Sequence, residues 1–76
     1  MEKEKLKGVI EAILFASGRV VKIRELMSLL EVNSDEIISS IAELEQEYSL
    51  VGRGLEIVRV EDGYQLASKK EYHEYI

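Results

Sequence analysis

The residues able to do chemistry are few, and their spacing argues against most of it. The chain has a single histidine, His73, and no cysteine, so the usual thiolate and imidazole zinc set cannot be assembled. His73 stands near the C-terminal end and reads as a solvated surface side chain. Carboxylates come in adjacent pairs, Asp35-Glu36 and Glu61-Asp62. Such pairs lie beside a helix cap or a turn, whereas general acid-base work needs groups converging on one reacting atom. Gly52-Arg53-Gly54 lacks the Lys-Ser/Thr or the strand-to-helix setting of a phosphate-cradling loop and reads as a turn. No serine sits in a nucleophile elbow. The expectation is a protein that binds rather than catalyses, with no cofactor and no metal.

Charge narrows the choice of partner. Ten basic residues face fifteen acidic ones, for a net charge of -5. That balance disfavours nonspecific attraction to nucleic acid or anionic lipid. No apolar run approaches the ~18 residues a membrane helix needs. Met1-Glu2-Lys3-Glu4-Lys5 leads directly into an amphipathic segment rather than a signal peptide. The expected location is the cytoplasm. With 46% apolar and 33% charged residues, the chain can fill one core and stay in solution.

The elements that must position any site follow from periodicity. A first helix is expected from about Glu2 to Ser17, with Leu6, Val9, Ile10, Ile13 and Leu14 on one face. Gly18 is a natural stop, and Val20-Val21 can form a very short strand. A second helix, Ile23 to Leu30, presents Ile23, Leu26, Leu29 and Leu30. Glu31-Val32-Asn33 turns the chain. Asn33 then caps a third helix reaching about Leu50, with Glu36 at the capping-box position and Ile37, Ile41, Leu44 and Tyr48 as its buried stripe. Gly52-Arg53-Gly54 ends it.

Two strands follow, Leu55 to Val60 and Tyr64 to Ser68, around Glu61-Asp62-Gly63. An Asp62-Gly63 turn would set Arg59 opposite Leu66. A loop with Gly63 left-handed would set Val60 opposite Tyr64 and Val58 opposite Leu66, and is preferred because it gathers four apolar side chains on one face. The fold class is therefore mainly α with a small β-hairpin, a winged helix-turn-helix of three helices plus a wing. Residues 1–68 form the domain. Residues 69–76 look like the start of another helix or linker toward further chain.

A winged helix often grips DNA with its third helix. Here that helix carries Asp35, Glu36, Glu43, Glu45 and Glu47 and no Lys or Arg, and the wing tip is Glu61-Asp62-Gly63. Both surfaces have the wrong sign for a phosphate backbone. A DNA-binding transcriptional regulator remains as the alternative, and would have to dock through Arg19, Lys22 and Arg24. The protein-contact reading has positive support. Gly8, Ala12 and Phe15 lie away from the main stripe of the first helix, and Leu55, Ile57 and Ala67 would form the second face of the hairpin. The residues expected at a protein interface are Gly8, Ala12, Phe15, Leu55 and Ile57.

Three strings then acquire meaning together: Ile10-Glu11-Ala12-Ile13-Leu14-Phe15-Ala16-Ser17-Gly18, Gly52-Arg53-Gly54-Leu55-Glu56-Ile57-Val58, and Asp62-Gly63-Tyr64-Gln65-Leu66-Ala67-Ser68-Lys69. In this order and spacing the chain resembles the N-terminal winged-helix domain of the segregation and condensation protein B (ScpB) family, over nearly its whole length. Arg19, Val20 and Lys22 depart from the family pattern, which has an acidic residue, Pro and a Ser/Thr cap there, so the second helix should start less well capped. The resemblance implies a non-enzymatic protein with two tandem winged-helix domains. It implies homodimers and binding to the kleisin subunit, segregation and condensation protein A, which bridges an SMC ATPase in chromosome condensation and segregation. The charge balance and the lack of a long apolar run, for their part, lead to the expectation of no membrane partner.

Overall fold

The computed structural model describes every residue from Met1 to Ile76. Helix α1 (Lys3–Ser17) leads to strand β1 (Val21–Lys22), helix α2 (Ile23–Leu30), helix α3 (Ser34–Tyr48) and strands β2 (Leu55–Val60) and β3 (Gly63–Ser68). The strands form one antiparallel sheet in the order β1-β3-β2. The segment Lys70–Tyr75 forms a short 3₁₀ helix.

Local chemistry accounts for the helix ends. Gly18 takes the left-handed conformation (φ 61°) and its N–H donates to the Leu14 carbonyl, closing α1. Asn33 caps α3 as its sequence position indicated, its Oδ1 accepting the Glu36 N–H at 2.9 Å. The start of α2 is better served than the missing Ser/Thr cap implied. The Glu25 carboxylate accepts the Lys22 N–H at 2.9 Å, and Arg19 grips the same carboxylate at 3.0 and 3.3 Å.

One core runs through all these elements: Leu6, Ile10 and Leu14 from α1, Val21 from β1, Leu26 from α2, Ile37, Ile41, Leu44 and Tyr48 from α3, and Ile57 and Tyr64 from the hairpin. Leu29, expected in the stripe of α2, is exposed, and Met27 packs against the core in its place. Ile23, Leu26, Met27 and Leu30 follow helical spacing on one face, and Leu29 lies off it.

The hairpin adopts neither expected register. Val60 pairs with Gly63, Arg59 with Tyr64, Val58 with Gln65 and Ile57 with Leu66. Glu61 and Asp62 alone form the loop, and Glu61 is left-handed (φ 52°). The cause is β1. Lys22 pairs with Gly63 and Val21 with Tyr64, and a Cβ on Gly63 would stand 2.7 Å from Val20 Cγ1 and 2.9 Å from the Val21 carbonyl oxygen. Glycine is needed inside the strand for close approach, so it cannot serve as the turn residue. The one-residue slip exchanges the faces of β2. Ile57 joins Tyr64 and Leu66 toward the core, while Val58 and Val60 turn outward.

Candidate protein interface

Helix α1 meets α3 along a polar seam as well as the core. Its row Lys3, Lys7, Glu11, one residue per turn, runs along Ser39, Glu43, Glu47 and Tyr48. Lys3 Nζ donates to Ser39 and pairs with Glu43 at 2.9 Å. The Lys7 ammonium is almost enclosed and pairs with Glu4 at 2.6 Å, Glu43 at 3.4 Å and Glu47. The Tyr48 hydroxyl donates to the Glu11 carboxylate.

These contacts shift the groups in consistent directions. Lys7 is held above its ordinary value, chiefly by its bond to Glu4 and then by Glu47. Lys3, through its contact with the carboxylate, holds Glu43 below the ordinary range. Burial, then the Glu11 carboxylate, raises Tyr48. On the wing, Arg59 bonds Glu45 at 2.6 and 3.0 Å and lies 6.0 Å from the Tyr64 ring centroid. Three acids of the helix that would face a DNA groove thus have partners within the chain. Of the basic cluster proposed for DNA docking, Arg19 is engaged by Glu25, whose carboxyl is held at about 2 by Arg19 first and the Lys22 N–H second.

The opposite face of α1 is uncharged along its middle. Gly8, Ala12 and Phe15 fall at i, i+4 and i+7, about half a turn around the helix from Leu6, Ile10 and Leu14. All three are exposed, Phe15 to 75%. A Cβ at Gly8 would meet nothing within 4 Å. Leu55, 38% exposed, lines a cleft of about 160 Å³ with Glu11, Tyr48, Gly52, Arg53 and Gly54, and so adjoins the Glu11 flank of α1. Four of the five expected interface residues are therefore at the surface. Ile57 is not. It is 9% exposed and part of the core, because the register turns it inward.

Sequence reasoning overlooked the Lys3–Lys7–Glu11 seam: the i, i+4 row is legible on α1, but its partners on α3 lie 36 or more residues away. It also overlooked Ser40, fully buried with no hydrogen-bond partner for its hydroxyl, whose small side chain fits a tightly packed helix. No group of three or more His, Cys, Asp or Glu side chains is arranged to hold a metal ion, and no helix is long and apolar enough to cross a membrane.

Comparison with known proteins agrees with this geometry. The family model described as "Segregation and condensation complex subunit ScpB" matches residues 8–76. Segregation and condensation protein B of Alkaliphilus oremlandii is 36% identical over 76 residues, which are 100% of this chain and 41% of that protein. The chain thus spans about two fifths of the length of the curated relatives it matches. A solved dimer of an ScpB N-terminal domain, complexed with an ScpA peptide, superposes with a TM-score of 0.89 at 33% identity, covering 95% of this chain and 90% of that one. ScpB from Mycobacterium tuberculosis shares the fold, with a TM-score of 0.90 at 17% identity over 99% of this chain and 47% of that one. With this family match across the chain and the winged-helix architecture already described, the chain belongs to the ScpB family of segregation and condensation complex subunits.

Proposed function

We propose that this chain is the self-associating, kleisin-binding part of a non-catalytic subunit in an SMC–kleisin complex that condenses and segregates the chromosome in the cytoplasm. Residues 1–68 are its winged-helix unit, and residues 69–76 lead toward a second one. Two copies join through the uncharged face of α1 (Gly8, Ala12, Phe15) together with Leu55. The paired domains bind the kleisin, segregation and condensation protein A, and through it bias the geometry of the SMC ATPase.

The observation that carries this reading is Phe15, the large aromatic standing exposed opposite the core. An aromatic anchor of this kind is typical of the few residues that dominate an interface. The 33%-identical relative solved as a dimer with an ScpA peptide supports the self-association and kleisin binding proposed here. DNA reading has no comparable support, since Asp35 and Glu36 at the start of α3 and Glu61-Asp62 at the wing tip carry the wrong sign for a phosphate backbone.

Phe15→Asp tests the proposal. The side chain makes no part of the core, so the helical circular-dichroism signal should be unchanged. Self-association measured by sedimentation should weaken on the order of 30-fold or more, the factor that a hot spot of ~2 kcal/mol represents. Dimerisation at wild-type strength, or an unfolded variant, would sink the assignment.

A further inference from the structure

One edge of the sheet is covered and the other is bare. β1 pairs with β3 at Gly63 and Tyr64, and farther along the His73 ring stands 3.3 Å from the Ser68 carbonyl oxygen. β2 has no strand on its far side. Two backbone bonds fix which of its groups face outward. The Lys69 N–H donates to the Gly54 carbonyl at 2.8 Å, and the Ile23 N–H to the Asp62 carbonyl at 2.8 Å. The first turns Gly54 toward β3. The second turns Asp62 toward β1, and so Gly63 toward β2. The register runs one to one from Leu55 opposite Ser68 to Val60 opposite Gly63. Alternation along the ladder then points the backbone groups of Glu56, Val58 and Val60 at β3 and those of Leu55, Ile57 and Arg59 at the open side. No turn, loop or cap bond and no side-chain bond reaches the backbone N–H or C=O of these three.

Proteins commonly blunt such an edge with proline, a bulge or lysine. The chain has no proline, and the six-residue ladder has no bulge. The one basic side chain of β2, Arg59, is folded onto Glu45 of α3. What remains is a template for an extended backbone, which presents N–H and C=O groups at the matching spacing. The side chains select which segment fits. On the solvent face, Val58 and Val60 are exposed. On the α3 side, a cleft of about 240 Å³ opens beside Ile57, lined by Glu45, Tyr48, Ser49, Glu56, Ile57 and Lys69. Two carboxylates against one ammonium make it acidic, and Glu56 joins none of the chain's ion pairs. Tyr48 and Ile57 supply an apolar wall for the stem of a long basic side chain.

We propose that the free edge of β2 takes an extended segment of another protein in which apolar and basic residues alternate. Its apolar side chains lie beside Val58 and Val60, and a Lys or Arg enters the cleft beside Ile57. The segment adds a fourth strand to the sheet. This site lies on the wing and does not depend on whether two copies join through α1.

The probe is a capped peptide, Val-Thr-Val-Arg-Val, whose arginine falls opposite Ile57 when it runs antiparallel to β2. Added to isotope-labelled chain, it should shift the amide signals of residues 55–60 saturably. It should also slow hydrogen exchange at Leu55, Ile57 and Arg59, which lack protection in the free chain. The same peptide N-methylated at threonine and arginine, the residues whose N–H groups would bond the edge, should lose these shifts. So should the peptide with glutamate in place of arginine. Val58→Lys changes an exposed side chain outside the core, so the variant should keep its fold and lose the binding. Equal binding by the methylated or the glutamate peptide, or no shift along β2, overturns the proposal. Edge amides already protected without peptide, and more so at higher chain concentration, show a second copy on the edge and overturn it as well.

Discussion

Gly63 has an ordinary backbone conformation, yet it is the most constrained glycine of the chain. Its α-carbon lies where β1 pairs with β3, and an added methyl would meet Val20 Cγ1 at 2.7 Å and the Val21 carbonyl at 2.9 Å. The second of these is backbone and cannot rotate away. Gly63→Ala should therefore destabilise the domain by roughly 1–3 kcal/mol, the usual range for overpacking, seen as a lower urea midpoint at unchanged slope. A midpoint equal to wild type would show that β1 moves aside freely. Asp-Gly between two apolar runs was legible as a hairpin, but not which demand the glycine meets. A left-handed turn and a close approach between paired strands both call for it, and the second depends on a two-residue strand some forty residues earlier. That ambiguity misplaced the register by one step and put Ile57 on the wrong face. Phe15 was legible for the opposite reason. A large apolar side chain off the stripe of a well-defined helix depends on local periodicity alone.

At the scale of the element, helices were easier to read than the links between them. The stripes of α1 and α3, the Gly18 stop and the Asn33 cap follow from residues within a few positions of one another. The partners of the α3 acids do not, since Lys3 and Lys7 lie 36 or more residues away from Glu43 and Glu47. An acidic helix thus read as a free acidic surface, whereas Glu43, Glu45 and Glu47 lock it to α1 and the wing.

The Arg19–Glu25–Lys22 arrangement at the start of α2 makes a pH prediction. The folded-state value of Glu25, about 2, lies below the ~4.3 of an unfolded glutamate. A depressed carboxyl contributes stability that is present above the unfolded value and is lost as pH falls through the folded one. Wild-type chain should melt higher than Glu25→Gln near pH 7, and the gap should shrink between about pH 5 and pH 2. A gap that stayed constant across that window would mean the contact does not depend on the carboxylate charge. Because the pair is well exposed, the gap should be modest and shrink further in high salt.

For the whole molecule, the winged helix is a scaffold whose use depends on what its surfaces carry. Three acids of α3 are tied into internal pairs, the wing tip is acidic, and an uncharged helix face with an exposed aromatic lies opposite the core. These features suit protein contact better than groove reading. The most direct test is one two-colour sedimentation-velocity run at low salt, where electrostatic attraction to DNA is strongest. It would combine the chain with segregation and condensation protein A in one dye and a short duplex in the other. The account predicts that the kleisin boundary moves faster with added chain while the duplex boundary stays where it was. A duplex that shifts while the kleisin does not would contradict it.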